Sequence, residues 1–177
     1  LLSYFFLSPY AINRRLALES YGETPLTTAE KIAQAVALSS SDVVFELGCG
    51  RGRLAFWLAF HYSCKVVGVD YNPIFIEKAK QIANRFQIQN VEFLCKKMAD
   101  VSLKEATLIY LYGTLLSDHD IEELIARFEK LEKGVRIVTV SYALTEYERA
   151  RGKFSIEQEI EVSFPWGKTS VFIQKVL

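Results

Sequence analysis

The stretch VVFELGCGRGRLAFWLA, residues 43–59, places three glycines within five residues, between an apolar run and an amphipathic one. The apolar run predicts a buried strand and the amphipathic run predicts a helix, so the glycines form the turn that joins them. Glycine lacks a Cβ atom and the N-terminus of the next helix offers free N–H groups, so a ligand can lie against this backbone. The stretch therefore predicts a ligand-binding turn in an α/β fold.

Short runs rich in Val and Ile continue to alternate with helical patterns, which predicts a parallel sheet covered by helices on both faces. The predicted strands are Val43–Leu47, Lys65–Asp70, Val91–Leu94, Thr107–Tyr112 and Val135–Ser141, and the predicted helices are Leu54–Phe60, Pro73–Phe86 and Ile121–Leu131. Upstream, the run from Thr27 to Glu30 resembles a capping box that would begin another helix. After Gly152, two strand-like runs joined by residues 165–168 predict an antiparallel hairpin.

The composition limits the class of protein. The chain has 177 residues, half of them hydrophobic, so we expect one domain over residues 1–177, with a helical cap or lid over residues 1–40 and the core over residues 41–177. Lys and Arg equal Asp and Glu, 21 against 21, so a nucleic-acid partner is not indicated. The three cysteines have apolar neighbours and no CxxC spacing, which predicts buried thiols in a reducing, cytoplasmic protein without a bound metal.

The N-terminal segment LLSYFFLSPYAINRRL, residues 1–16, is apolar up to Pro9. It is shorter than the roughly 20 apolar residues that a membrane span needs. Arg14 and Arg15 follow its apolar part, whereas a signal peptide carries its positive charges first. We therefore favour a helix that packs on the domain. The alternative is a segment that follows a membrane anchor before Leu1, which would associate the protein with a membrane.

The glycine turn has the spacing ExGxGxG, formed by Glu46, Gly48, Gly50 and Gly52. The dinucleotide fingerprint GxGxxG would need a glycine at position 53, where Arg53 stands. Glu46 places a negative charge near the position of a pyrophosphate, so a cationic ligand fits this turn better than a dinucleotide. The second strand ends in Asp70, the acidic residue expected to bind the ribose hydroxyls of an adenosine cofactor.

These residues resemble the first two motifs of class I S-adenosylmethionine-dependent methyltransferases. Glu46, Gly48, Gly50 and Gly52 match the first motif in type and spacing, and Asp70 matches the second. The alternative is a turn whose glycines serve only chain reversal, with two solvated acids nearby. The resemblance implies a Rossmann-like class I methyltransferase fold, with a mostly parallel seven-stranded sheet, a C-terminal antiparallel hairpin and helices on both faces. It also implies S-adenosylmethionine as the cofactor and S-adenosylhomocysteine as its product.

Residues 21–175 are similar to one branch of that family, the small bacterial methyltransferases and the mitochondrial protein-lysine methyltransferases related to them. The segment YGETP, residues 21–25, resembles their Tyr-x-x-Thr-Pro motif, and Trp166-Gly167 resembles their late Trp-Gly turn. The resemblance implies that Tyr21, Thr24 and Thr27 approach the methionine end of the cofactor as a lid. The alternative is an ordinary Gly/Pro turn before a capped helix.

The adenine side departs from the family pattern. Many relatives carry an acid after the third strand that hydrogen-bonds the adenine amino group, but Lys96 and Lys97 stand there. Either Asp100 or backbone groups near Met98 and Ala99 would take over this contact. Two tyrosines complete the cofactor-binding set, Tyr71 after Asp70 and Tyr110 in the fourth strand.

The candidate catalytic residues are Tyr112 and Tyr21. Tyr112 follows the fourth strand, where the resemblance implies groups that face the reactive methyl; the alternative is a strand-end aromatic. A lysine acceptor must lose its proton before attack, and an aromatic pocket formed by Tyr21, Tyr110 and Tyr112 would lower the pKa of the amine by desolvation.

The favoured function is methylation of a protein lysine, because the chain has few inserts for substrate recognition and so fits an acceptor that brings its own shape. A methyltransferase for a small molecule, a lipid or RNA would use the same core. A noncatalytic S-adenosylmethionine-binding module is another alternative; the intact glycine turn and Asp70 argue against it, whereas the unusual Lys96 and Lys97 leave it open. A nicotinamide enzyme fits poorly because Arg53 replaces the last fingerprint glycine.

Overall fold

The computed structural model describes residues 22–177, and Tyr21 and the apolar N-terminal segment lie outside the described residues. Its strands are β1 (Val43–Leu47), β2 (Lys65–Asp70), β3 (Val91–Cys95), β4 (Leu108–Leu111), β5 (Arg136–Val140), β6 (Phe154–Phe164) and β7 (Gly167–Val176). Its α-helices are α1 (Leu26–Ala35), α2 (Arg53–Tyr62), α3 (Pro73–Arg85) and α4 (Asp118–Phe128). Within residues 22–177, no helix combines the length and the apolar character needed to cross a membrane.

All seven strands join one sheet in the order β3-β2-β1-β4-β5-β7-β6. The first five pair in parallel, while β7 runs antiparallel to β5 and forms the hairpin with β6. This confirms the predicted mostly parallel sheet and its closing hairpin. Strand order reverses between β1 and β4, and open α/β sheets bind ligands in the crevice beyond the carboxyl ends of the strands at such a point.

Helices cover both faces of the sheet. On one face, α1, α2 and α3 pack on strand residues such as Val44 and Val66, and on the other α4 packs on residues such as Ile109. All three side chains are fully buried. Burial on both faces explains why the central strands are continuous Val and Ile runs rather than alternating ones.

Two of the four described helices, α3 and α4, begin with a side-chain cap, whereas α1 and α2 do not. The Asn72 side chain accepts a hydrogen bond from the backbone N–H of Ile74 at 3.0 Å and begins α3. The predicted capping box from Thr27 to Glu30 is wrong, because α1 begins at Leu26 without a side-chain cap. The Thr28 hydroxyl instead donates to the backbone carbonyl of Ser163 at 2.5 Å and ties α1 to β6.

Candidate active site

A cleft opens beyond the carboxyl ends of β1 and β4, at the point where strand order reverses. Its walls are the glycine turn, the first turn of α2 and the segment before α1. The lining residues are Gly22, Glu23, Thr24, Glu46, Gly48, Cys49, Arg53, Leu54, Tyr110 and Tyr112. The structure thus brings together five residues that the sequence analysis selected, namely Thr24, Glu46, Gly48, Tyr110 and Tyr112.

The glycine turn is fixed to the end of β2 by its backbone. The N–H groups of Gly48 and Cys49 both donate to the carbonyl of Val69, at 2.8 and 2.9 Å. The next glycine donates to the side chain of Asp70, with 2.8 Å between Gly50 N and Asp70 Oδ2. The turn is therefore held in one shape by the strand beside it.

The three glycines of the turn have positive φ angles, but their surroundings differ. A Cβ atom on Gly48, φ +84°, would lie 2.9 Å from Met98 Cε, beside the cleft. A Cβ atom on Gly52, φ +77°, would lie 2.4 Å from Phe93 Cε1. The absent side chain at Gly52 therefore makes room for the Phe93 ring, so glycine at this position allows the turn to pack on β3.

Both carboxylate oxygens of Asp70 accept backbone hydrogen bonds. Asp70 Oδ1 accepts from Asn72 N and Oδ2 accepts from Gly50 N, each at 2.8 Å. This carboxylate thus orders the glycine turn and the start of the next helix together. Each carboxylate oxygen can accept more than one hydrogen bond, so ribose hydroxyls remain compatible with this arrangement.

Glu46 is the buried acid of the site, and only 6 % of its surface is exposed. Burial raises the pKa of its carboxyl to about 8; a hydrogen bond from the backbone N–H of Ala55 opposes this rise, and the nearby carboxylates of Asp70 and Glu23 add to it. Within the described chain, Glu46 Oε2 has no hydrogen-bond partner. Burying such an atom costs free energy, which a ligand that donates to it would recover.

The segment before α1 is fastened across the turn by contacts that the sequence analysis missed. The carboxylate of Glu23 pairs with both Arg51 and Arg53, at 3.0 Å each. Beside it, the hydroxyl oxygens of Thr24 and Tyr110 lie 2.6 Å apart. Arg53, which disqualified the dinucleotide fingerprint, therefore holds this segment in place. Arg51 and Arg53 follow Glu23 by 28 and 30 residues, so no local sequence pattern connects them to it.

Two of the three tyrosines predicted to form a pocket, Tyr110 and Tyr112, line the cleft, and Tyr21 lies outside the described residues. Tyr110 is buried with its hydroxyl bound to Thr24. Tyr112 also contacts two residues of the β6–β7 hairpin. The Phe164 ring stacks on it at 5.0 Å between centroids, and Trp166 Nε1 donates to its hydroxyl at 2.7 Å.

Seven predicted cofactor-site residues are not among the lining residues of the cleft, namely Gly50, Gly52 and Asp70, described above, and Thr27, Tyr71, Met98 and Ala99. Thr27 is exposed on α1, and Tyr71 is exposed beyond the end of β2. Met98 and Ala99 are half-buried in a short 3-10 helix, Met98–Asp100, after β3. Of these, Met98 approaches the glycine turn through its side chain.

Two cysteines are buried as predicted, Cys49 and Cys64, but Cys95 is exposed. The prediction is wrong there because Cys95 ends β3, the edge strand, where the sheet has no further neighbour to cover it. Among residues 22–177, no three His, Cys, Asp or Glu side chains are grouped so as to hold a metal ion.

Several known proteins are similar to this chain in sequence. The family model of the ANTKMT methyltransferase domain matches residues 46–151. A protein-lysine N-methyltransferase of Saccharolobus islandicus is 28% identical over 127 residues, which cover 70% of this chain and 77% of that protein. An uncharacterized protein of Methanocaldococcus jannaschii is 29% identical over 113 residues, 64% of this chain, and the matched part spans about half of that relative, 49%.

A solved structure shares the fold. It is an RNA methyltransferase from Salinibacter ruber in complex with S-adenosylhomocysteine, and it superimposes with a TM-score of 0.71 at 21% identity. The match covers 87% of this chain and 93% of that one.

Proposed function

The chain belongs to the ANTKMT methyltransferase domain family and thus carries an S-adenosylmethionine-dependent methyltransferase domain, and we propose that it methylates lysine side chains of a partner protein. The cofactor site is supported above all by Glu46 Oε2, which is buried beside the glycine turn and has no hydrogen-bond partner among residues 22–177. The similarity to a protein-lysine N-methyltransferase supports the choice of acceptor.

The residues of the cleft fit the polar groups of the cofactor. Glu46 Oε2 suits the α-amino group, because a buried carboxyl without a donor is satisfied by a cationic N–H. Asp70 and Tyr71 would hold the ribose, and the backbone near Met98 and Ala99 would contact the adenine. Thr24 and Tyr110 close the methionine end, with Gly48 beneath it.

The reaction requires alignment more than it requires acid–base groups. S-adenosylmethionine, held by Glu46, Asp70 and the glycine turn, would supply an activated methyl group for the lysine nitrogen, with S-adenosylhomocysteine as its product. The ammonium must first release a proton to solvent. The chain contributes by holding the amine in line and by excluding water from it.

Tyr112 is the residue proposed to orient the amine. Its hydroxyl oxygen accepts from Trp166 Nε1, which fixes the ring and leaves a second lone pair free to accept an N–H of the acceptor. The apolar surface of the aromatic rings lowers the pKa of a lysine that enters, so more of it is the neutral nucleophile.

Methyl transfer to lysine can be tested by labelling. The purified protein is incubated with methyl-tritiated S-adenosylmethionine and a cell extract, and the protein, RNA, lipid and small-molecule fractions are separated. We expect the label in the protein fraction, and we expect acid hydrolysis to release it as methyl-lysine. Label that appears only in another fraction would reject lysine as the acceptor. Label in no fraction would favour a noncatalytic module.

The matched controls for this assay are two substitutions of the same type. Glu46→Gln removes the carboxyl proposed to bind the cofactor amino group and should abolish most of the labelling. Glu105→Gln changes an exposed glutamate that lies before β4, at the end of the sheet opposite the cleft, and pairs with Lys65. Native labelling in Glu105→Gln shows that the loss in Glu46→Gln comes from the site.

A further inference from the structure

Three aromatic rings form a continuous stack at the mouth of the cleft. Phe164 lies between the other two, with centroid distances of 5.0 Å to Tyr112 and 5.3 Å to Trp166 and interplanar angles of 22° and 13°. The hydrogen bond from Trp166 Nε1 to the Tyr112 hydroxyl closes the group. We call Tyr112, Phe164 and Trp166 the aromatic stack.

The aromatic stack spans from the cleft to the surface. Tyr112 lines the cleft, and it also packs so closely on Gly22 that a Cβ atom there would lie 2.9 Å from Tyr112 Cε1. Phe164 is buried, whereas Trp166 is 54 % exposed in the tight turn between β6 and β7. A large aromatic surface, held rigid by a hydrogen bond, therefore meets solvent next to the proposed reaction site.

We propose that the exposed face of Trp166, together with Tyr112, forms the subsite through which the acceptor lysine enters, an inference that rests on the proposed lysine methylation. An indole face attracts a cation electrostatically and packs on the aliphatic stem of lysine. The Trp166 N–H is already engaged by Tyr112, so the indole ring is fixed before the acceptor arrives. Trp166 would thus bind the side chain while Tyr112 aligns its nitrogen.

The positive side chains near the aromatic stack are ion-paired, which disfavours a phosphate or a nucleotide. The guanidinium of Arg53, which lines the cleft, is paired with Glu23. At the hairpin turn, Lys168 is likewise paired, with Glu161 at 2.7 Å. The exposed aromatic face of Trp166 is therefore the feature that recognises the acceptor, and such a face suits a cation.

Fluorescence tests binding without requiring catalysis. The chain has two tryptophans, so Trp57→Phe leaves Trp166 as the sole tryptophan, which is excited selectively at the red edge of the absorption band. Trp57 lies away from the cleft among His61 and Tyr62. The variant, saturated with S-adenosylhomocysteine, is titrated with Nα-acetyl-lysine amide and with the uncharged isostere Nα-acetyl-norleucine amide. We expect saturable quenching, with the lysine compound binding about 3- to 30-fold more tightly. Equal affinities, or quenching by adenosine instead, would overturn the proposal.

Steady-state kinetics separates the ring from its hydrogen bond. Trp166→Leu removes the aromatic face and should raise KM for Nα-acetyl-lysine amide about tenfold while the Kd of S-adenosylmethionine stays within about twofold. Trp166→Phe keeps an aromatic ring but lacks the N–H donor, so its KM should rise less, and its kcat should fall because Tyr112 loses its anchor. If Trp166→Leu has the native KM, the proposed Trp166 subsite is wrong, while the proposed lysine methylation still stands. If the native protein methylates no lysine at all, the proposed function itself fails.

Discussion

Glu46 is the residue at which stability and function oppose each other. Its carboxyl is buried, keeps one oxygen without a donor in the described chain and has a pKa raised by desolvation. A residue selected only for packing would not be acidic here, because an uncharged side chain of similar size would avoid the desolvation penalty. The position is therefore explained by a ligand that donates to it.

The pH dependence of stability reports on Glu46. Its carboxyl has a pKa of about 8 in the folded chain against an ordinary 4.5, so the folded state keeps a proton that the unfolded state releases between these values. The protonated Glu46 carboxyl therefore contributes its full stabilisation of the folded state below pH 4.5. This contribution is lost as the pH rises to about 8. Glu46→Gln lacks this loss, and its Tm at pH 8.5 should exceed the native Tm by about 3–10 °C.

Thermal unfolding from pH 4.5 to 9 measures this effect. The two proteins should have similar Tm values at the acidic end and diverge toward the alkaline end, while Glu105→Gln should follow the native curve throughout. Parallel curves for Glu46→Gln and the native protein would mean that the carboxyl titrates normally.

Gly52 matches the glycine motif, and its packing against Phe93 explains why a glycine stands there. Substitution by alanine there combines a positive φ with a Cβ atom 2.4 Å from the Phe93 ring. We expect Gly52→Ala to lower the free energy of unfolding by about 3 kcal/mol or more. Gly134→Ala is the control, since Gly134 has a φ of +89° but no atom within 4 Å of the added Cβ. That variant should lose only about 1 kcal/mol, from backbone strain alone.

Chemical denaturation of both glycine variants tests this difference, because the slope with denaturant should be unchanged while the midpoints separate. Equal losses in the two variants would show that the Phe93 contact relaxes without cost.

Four elements converge on one carboxylate at the end of the sheet opposite the cleft. Asp42, just before β1, accepts from the Thr107 hydroxyl at 2.6 Å and from the backbone N–H of Ser39 at 2.9 Å. It is also ion-paired with Arg136, whose guanidinium donates to the carbonyl of Val36 after α1. Asp42 thus joins α1 and the starts of β1, β4 and β5.

Removal of this carboxylate should destabilise the fold strongly at neutral pH. Burial by itself would raise the pKa of Asp42, but the hydrogen bonds from Thr107 and Ser39 and the Arg136 charge hold it below its ordinary value. The Asp42 carboxylate therefore stabilises the folded state at pH values above 3.8, its ordinary pKa. This stabilisation is lost as the pH falls through the lowered pKa of the folded chain. Asp42→Ala leaves Arg136 without this partner and should lower the free energy of unfolding by about 3–5 kcal/mol.

Urea denaturation at pH 7 and pH 3 measures the Asp42 effect and its pH dependence. The difference between Asp42→Ala and the native protein should shrink at pH 3. Glu105→Ala, which breaks an exposed pair with Lys65, should change stability by about 1 kcal/mol or less. A loss of that small size in Asp42→Ala as well would contradict the role of this carboxylate.

Elements defined by local pattern could be predicted, and those defined by distant partners could not. Val43–Leu47 and Lys65–Asp70 were predicted to the residue, because each is an apolar run bounded by polar or glycine residues. The local pattern makes Thr27 a cap, whereas α1 begins at Leu26, and the hydroxyl of the neighbouring Thr28 bonds a carbonyl 135 residues away.

The same contrast holds for the candidate site. Glu46 and the glycines lie within seven residues, so their shared location follows from one strand and its turn. Trp166 reaches Tyr112 across 54 residues, and this contact exists only because β6 and β7 return along β5. The resemblance to known methyltransferases drew attention to Trp166-Gly167 without indicating which residue it contacts.

In the whole molecule, the cleft lies at one end of the strands and the Asp42–Arg136 ion pair lies at the other end. Parallel strands direct all their carboxyl ends to the same edge, and the order β2-β1-β4 brings the glycine turn, Asp70 and Tyr112 there. The hairpin adds Trp166 to that edge from the far end of the sequence. A sheet with this order can therefore bind its cofactor with β1 and β2 and its acceptor with β4 and the hairpin.

Calorimetric titration with S-adenosylmethionine tests the cofactor site most directly. The native protein and Glu105→Gln should bind with a Kd on the order of micromolar, and Glu46→Gln should bind about 10- to 100-fold more weakly because a charge-assisted hydrogen bond is lost. NAD should give no heat of binding to any of the three. Absence of S-adenosylmethionine binding to the native protein, or equal affinity in all three proteins, would contradict the account.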